Sequence, residues 1–340
     1  LTTAIALEEG VTDLDSTYTC TGSIAVGDQI LHCWSSDHPH GTQNLKQAVG
    51  NSCNPVFVQL ATGIGIDKFY NYMATFGITG KTGIDFPGEG SAILQSKESA
   101  GPVGLATIGF GQGVAVTPIQ LITAISSFGN EGKLLKPRLV KELRDSDGNT
   151  VEKFETEVVR QVVSKETAEE ICDIMQFVVD EGGGGAAKVD GYKVGAKTGT
   201  ADKVKEDGTG YSGDTYSSCI AMAPMDDPQI AVLLIVDSPQ GVKYGSVTAA
   251  PGVHQILEDS LRYLNISPDE ESQKEADAEK VEVPDVTGQS ASNAIGILAG
   301  DSLDYDTDKE AAAESDFIVT KQYPEAGTKV KKGSKIYLYK

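Results

Sequence analysis

Two short runs in this chain bring together a cation, an amide and hydroxyls in a way that suits acyl transfer. The first is Lys197-Thr198-Gly199-Thr200. A strand predicted over Tyr192–Ala196, following the turn Asp190-Gly191, delivers it to a strand edge. A strand holds its amides in line, and one of them can donate to a developing oxyanion. Gly199 leaves that edge bare for a close approach. Lys197 offers a positive charge to a carboxylate, and Thr198 and Thr200 offer hydroxyls. The same four residues also fit an ordinary exposed strand with a surface lysine. The second run is Ser52-Cys53-Asn54, set between predicted helices at Gln43–Gly50 and Pro55–Thr62. Pro55 suits a first helical position and Asn54 can cap that helix. The functional alternative is a serine that relays protons and an asparagine that holds a substrate amide at the mouth of a cleft.

The remaining elements must position these two runs. Leu1 to Gly10 reads as the middle and end of a helix closed by Gly10, which predicts a missing N-terminal portion. Thr117-Pro118 starts another helix, with Ile119, Ile122, Ile125 and Phe128 near one face and Gly129 at its end. Thr167–Val179 is amphipathic, with Ala168, Ile171, Ile174, Met175 and Val178 apolar. Strands are predicted at Tyr216–Ala223 and Gln229–Asp237, and a closing helix at Ala249–Leu264. That order implies an α/β unit in which an antiparallel sheet is flanked by helices. The run Glu181–Gly185 lacks the Lys-Ser/Thr ending of a phosphate-binding loop and reads as a flexible connector.

With 340 residues there is room for one large domain and one small one. A net charge of −21 argues against nucleic acid as a partner. The longest apolar run, Ile230 to Val236, is far too short to cross a bilayer. Cysteines at 20, 33, 53, 172 and 219 and four scattered histidines show no zinc-like spacing, so no metal is expected. Cys20 and Cys33 flank a predicted hairpin turning near Gly27-Asp28; they are either two free thiols or, in an oxidising compartment, a disulfide. Pro268–Lys280 holds six acidic residues, two lysines and no large apolar side chain, and reads as a linker. The expected division is residues 1–266, a linker over 267–281, and a small unit over 282–340.

The two runs resemble the second and third motifs of class B penicillin-binding proteins. The likeness extends to Ser52-Cys53-Asn54-Pro55-Val56-Phe57, to Ile108-Gly109-Phe110-Gly111-Gln112-Gly113 with Thr117-Pro118-Ile119-Gln120-Leu121, and to Val194–Ala201, in family order. It covers residues 1 to about 264. It implies a β-lactamase/transpeptidase-like fold and a D,D-transpeptidase that crosslinks peptidoglycan stem peptides through a serine acyl-enzyme and takes β-lactams as mimics. The implied catalytic residues are Ser52, Asn54, Lys197 and Thr200, with Thr198, Gly199 and Thr200 binding substrate. No cofactor is implied. The family's first motif, Ser-x-x-Lys, is absent here. The resemblance puts it just ahead of Leu1, and a membrane anchor farther back, so the chain as given is expected to be unable to acylate. A D,D-carboxypeptidase or β-lactamase-like hydrolase, and a non-catalytic peptidoglycan binder, are the alternatives.

Val283-Pro284-Asp285-Val286-Thr287-Gly288 and Gln322-x-Pro324-x-Ala326-Gly327-Thr328 with Gly333-Ser334 resemble a PASTA module, a helix on a three-stranded sheet. Ser290 caps its predicted helix, which runs to Ala299, and strands are expected at Phe317–Val319 and Lys335–Tyr339. The resemblance implies wall binding or docking on proteins of wall synthesis, at the outer face of the membrane. Whether the family member serves division, elongation or sporulation is left open: a single such tail resembles the sporulation type but also some division enzymes of Gram-positive bacteria.

Overall fold

The computed structural model describes all residues except 206–209, 271, 273, 275–277 and 308–315. The chain divides into two units, Leu1–Ser267 and Pro268–Lys340. Part of the predicted linker lies outside the described residues. Within it, Glu270, Ser272, Lys274 and Ala278 are helical, held by local contacts such as Lys274 to Glu270 at 3.9 Å rather than by burial.

The first unit opens with α1 (Thr2–Glu8), β1 (Thr17–Cys20), the hairpin β2 (Ser23–Val26) and β3 (Gln29–His32), and β4 (Gly41–Asn44), which pairs antiparallel with β1. α2 (Leu45–Gly50) and α3 (Asn54–Ile64) follow. The predicted helix at Gln43 begins two residues later, because Gln43 belongs to β4 and Asn44 forms a capping box with Gln47. After α4 (Ile66–Thr75) come β5 (Ile93–Leu94), α5 (Lys97–Gly109) and β6 (Val114–Ala115), then α6 (Pro118–Ser126), where Thr117 caps the helix through Gln120. Gly129 lies in a short 3-10 turn beyond α6 instead of closing it. Paired strands β7 (Lys133–Leu135), β8 (Glu142–Arg144), β9 (Thr150–Lys153) and β10 (Val158–Gln161) lead to α7 (Lys165–Asp180).

A three-stranded sheet is formed by β11 (Gly195–Val204), β12 (Tyr211–Ala223) and β13 (Ile230–Asp237), antiparallel in that order. Alternation along β12 sends Cys219, Ala221 and Ala223 to one core, with Val253, Leu257 and Leu261 of α9 (Ala250–Tyr263). Ile220 and Met222 go to the other, with Ile171 and Met175 of α7. Both faces are covered, which explains the continuous apolar run in β12. A short α8 (Gly245–Thr248) precedes α9. Glu181–Gly185 is a packed corner and not a flexible connector. The Gly183 amide donates to Gly50 O at 3.3 Å, and a Cβ on Gly182 would stand 2.9 Å from Gly50 Cα. Small residues are needed there so that the two backbones can touch.

In the second unit β14 (Lys280–Glu282) pairs with β17 (Lys329–Lys331), and β15 (Asp304–Thr307), β18 (Lys335–Tyr339) and β16 (Lys321–Tyr323) form a three-stranded sheet. Its helix α10 (Ala291–Gly300) is capped by Ser290 and buries Ala291, Ala294 and Leu298 against Ile336 and Leu338. Phe317–Val319 is not a strand. It makes one bridge, Ser290 to Ile318, while Phe317 and Val319 plug the core. Among the described residues no helix is long and apolar enough to cross a membrane.

Candidate active site

The Lys-Thr-Gly run lies inside a strand rather than after one: β11 begins at Gly195, so Lys197 to Thr200 are ladder residues opposite Ile220, Cys219, Ser218 and Ser217. Among the described residues no strand pairs with the other side of β11, which leaves it as the sheet edge. Gly195 points at Met175 and Met225. Lys197, two residues on, shares that side and reaches towards the helical part of the unit.

Ser52 occupies the end of α2. The Cys53 amide donates to Ala48 O and the Ser52 amide to Val49 O, the paired bonds of a Schellman helix end. Such an end requires a left-handed residue, normally glycine; here Ser52 takes it, with φ 49°. A β-carbon in that region costs about 1–2 kcal/mol. Cys53 is the N-cap of α3 and Pro55 sits in its first turn. Asn54 is therefore not the cap, as its sequence position suggested. Its Nδ2 donates instead to His32 O at 3.1 Å, tying the turn to the end of β3.

These two places meet. Lys197 Nζ donates to Ser52 Oγ and, at 2.8 Å, to Thr198 O. Withdrawal from water lowers the Lys197 pKa to about 8, and the nearby Cys219 only partly offsets this. Near neutrality the side chain is thus mostly the ammonium, with a minor neutral amine fraction able to accept a proton. Leu1, at the amino end of α1, lies within electrostatic range of Lys197. Thr2 Oγ1 donates to Gly109 O at 2.7 Å and anchors that helix to the end of α5. Gln112, from the Gly111-Gln112-Gly113 turn, donates to Thr200 O at 3.5 Å. Thr200 Oγ1 accepts from the Gly245 amide at 3.3 Å. Thr198 and Gly199 are half-buried and Thr200 is exposed. Lys197, Thr200 and Ser52 thus share one locale with the start of α1, while the Asn54 side chain is spent on His32.

The family model for the penicillin binding protein transpeptidase domain matches residues 1–258. The chain belongs to the penicillin-binding protein transpeptidase family. A PASTA domain matches residues 281–340. Stage V sporulation protein D of Bacillus subtilis is 42% identical over all of this chain and 52% of its own length. Penicillin-binding protein PbpB of Mycolicibacterium smegmatis is 31% identical over 79% of this chain and 43% of its own. The chain therefore spans about half the length of the curated relatives it matches. Among solved structures, the D,D-transpeptidase domain of a peptidoglycan glycosyltransferase from Eggerthella lenta superposes with a TM-score of 0.69 at 25% identity, covering 78% of this chain and 64% of that one. The fold is that of penicillin-binding protein transpeptidase domains, α/β with an antiparallel sheet between helices.

Sequence reading missed one feature of this penicillin-binding protein. Cys20, Cys33, His40 and Cys53 converge, with their donor atoms all within 4.8 Å of one another. Their spacing resembles no zinc motif because each comes from a different place: the end of β1, the residue after β3, the approach to β4 and the cap of α3. Only the closure of β1 on β4 and of β3 on α3 gathers them. Cys20 and Cys33 are free thiols in this arrangement.

Proposed function

We propose that the chain is the substrate-holding part of a D,D-transpeptidase that crosslinks peptidoglycan stem peptides through a serine acyl-enzyme. The observation that carries this reading is the Lys197–Ser52 hydrogen bond beside the bare edge of β11. The family's Ser-x-x-Lys run, which residues 1–340 do not contain, would supply the acylating serine and its lysine. The serine attacks the penultimate D-Ala carbonyl, its own amide and that of Thr200 hold the oxyanion, and D-Ala leaves with a proton. Ser52 and Lys197 pass that proton, a role that a lysine with a pKa near 8 can fill at neutral pH. Thr198 and Thr200 hydroxyls take the terminal carboxylate, Gly199 gives it room, and Asn54 orients the peptide once its side chain exchanges His32 for substrate. The amine of a second stem peptide attacks the acyl-enzyme and restores the serine.

In the same reading the protein works at the outer face of a bacterial membrane, with residues 282–340 as a wall-binding or docking tail and residues 267–281 as the linker. Fluorescent penicillin tests it on a form of the protein that carries the family's Ser-x-x-Lys run. Stoichiometric labelling with slow release is expected. Rapid turnover would point to a β-lactamase-like hydrolase, and no labelling to a wall-binding protein without catalysis.

A further inference from the structure

We propose that Cys20, Cys33, His40 and Cys53 form a structural zinc site that clamps the turn carrying Ser52 and Asn54. Cys20, Cys33 and Cys53 are almost wholly buried, at 1%, 3% and 0% exposure. Buried cysteines often serve as small apolar groups, but these surround a histidine nitrogen. Cys33 Sγ lies 3.6 Å from His40 Nδ1. A tetrahedral zinc with bonds of about 2.3 Å to sulfur and about 2.0–2.1 Å to nitrogen sets those two atoms about 3.6 Å apart. Three thiolates and one imidazole complete the shell, which marks a structural rather than a catalytic ion.

The surroundings supply what metal-bound thiolates need. The Gly22 and Ser35 amides each follow a ligand cysteine by two residues, a spacing at which a backbone N–H can turn toward the sulfur. Cys53 also caps the amino end of an eleven-residue helix, where negative charge is favoured. The Trp34 ring packs on His40 at 5.6 Å, and Trp34 Nε1 donates to Asn51 O at 2.8 Å, fixing the outer wall. Zinc binding would release three thiol protons to solvent and leave one thiolate-rich complex with a single net negative charge.

The placement gives the ion a task. Cys53 stands between Ser52 and Asn54, and the Asn54 side chain donates to His32 O, next to Cys33. An ion there would lock β1, β3, β4 and α3 together and hold the left-handed Ser52 in place. The metal site stands without the transpeptidase reading; only the value of positioning Ser52 rests on it.

The test uses the full chain, prepared reduced and without immobilised-metal resin. Elemental analysis should find one zinc per chain after desalting, and Co²⁺ in its place should give the intense visible bands of a tetrahedral thiolate site. His40→Ala should weaken zinc at least about tenfold, and Cys33→Ser more. Chelation should raise amide hydrogen exchange at residues 52–56. A folded, reduced chain supplied with zinc that retains none, or a native Cys20–Cys33 disulfide, overturns the site. Loaded and chelated forms with equal exchange at residues 52–56 overturn the clamp. None of these readouts depends on acylation, so failure of the transpeptidase assay leaves them unaffected.

Discussion

Lys197 and Ser52, 145 residues apart in sequence, are joined by a hydrogen bond from the Lys197 ammonium to the Ser52 hydroxyl. One partner is a residue of an edge strand and the other the left-handed end of a helix. In the proposed mechanism the bond is a proton path between two elements that no local pattern connects.

Removing that path should disable chemistry more than binding. On a form of the protein that carries the family's Ser-x-x-Lys run, Ser52→Ala and Lys197→Met should each slow penicillin acylation on the order of a hundredfold or more. Stopped-flow acylation kinetics measure this. Unchanged rate constants in both variants would remove Ser52 and Lys197 from the mechanism.

The lowered pKa of Lys197 also makes a statement about stability. Its folded value is about 8 against an ordinary 10.5, so between these the unfolded chain binds more protons than the folded one. This group's contribution to stability therefore rises with pH from about 8 to 10.5, and below 8 its destabilisation is complete. Lys197→Met, which carries no charge, should melt higher than wild type at pH 7, and the gap should narrow by pH 9.5. Parallel melting curves across the range would contradict the assignment.

Ser52 carries a backbone cost that glycine would not. Ser52→Gly and Ser52→Ala lose the same hydroxyl, so their difference isolates the left-handed conformation. The glycine variant should be the more stable by about 1–2 kcal/mol in denaturant titration. Equal midpoints would mean that Ser52 is not strained.

Two glycines beside the edge should respond differently to alanine. A Cβ on Gly245 would stand 2.3 Å from Ser218 O and 2.6 Å from Gly199 O, both backbone atoms of the sheet. Gly245→Ala should cost about 1–3 kcal/mol or more, since neither strand can give way. A Cβ on Gly199 meets only the Ser218 hydroxyl, at 2.7 Å, and that hydroxyl can rotate. Gly199→Ala should keep nearly the wild-type melting point yet lower β-lactam acylation by obstructing the edge. Calorimetry paired with labelling separates the two effects.

In the small unit the Gln322 side chain is buried and bridges two backbones, accepting from the Val286 amide and donating to Pro284 O, each at 2.8 Å. Gln322→Leu leaves both groups unpaired in the core, and about 1–3 kcal/mol is lost for each buried polar group so stranded. Calorimetry should show the transition of this unit lowered and that of the first unit unchanged. A variant that melts like wild type would refute the bridge.

The sequence by itself determined the local elements: the capped helix at Thr117-Pro118, the amphipathic α7, the strands β12 and β13, and the Ser290 cap. In each, periodicity and capping chemistry act within one stretch of chain. It also carried the two motifs, because the residue types needed for acyl transfer stay adjacent. Where local rules misled, tertiary contact was the reason: Asn54 gave up the cap for His32 O, Gly182 packed on Gly50, and Phe317–Val319 filled a core instead of extending a sheet. The meeting of Lys197 with Ser52 and the convergence of Cys20, Cys33, His40 and Cys53 belong to the tertiary structure alone. Strand pairing and helix packing set those distances, and neither is encoded in the spacing of the residues they bring together.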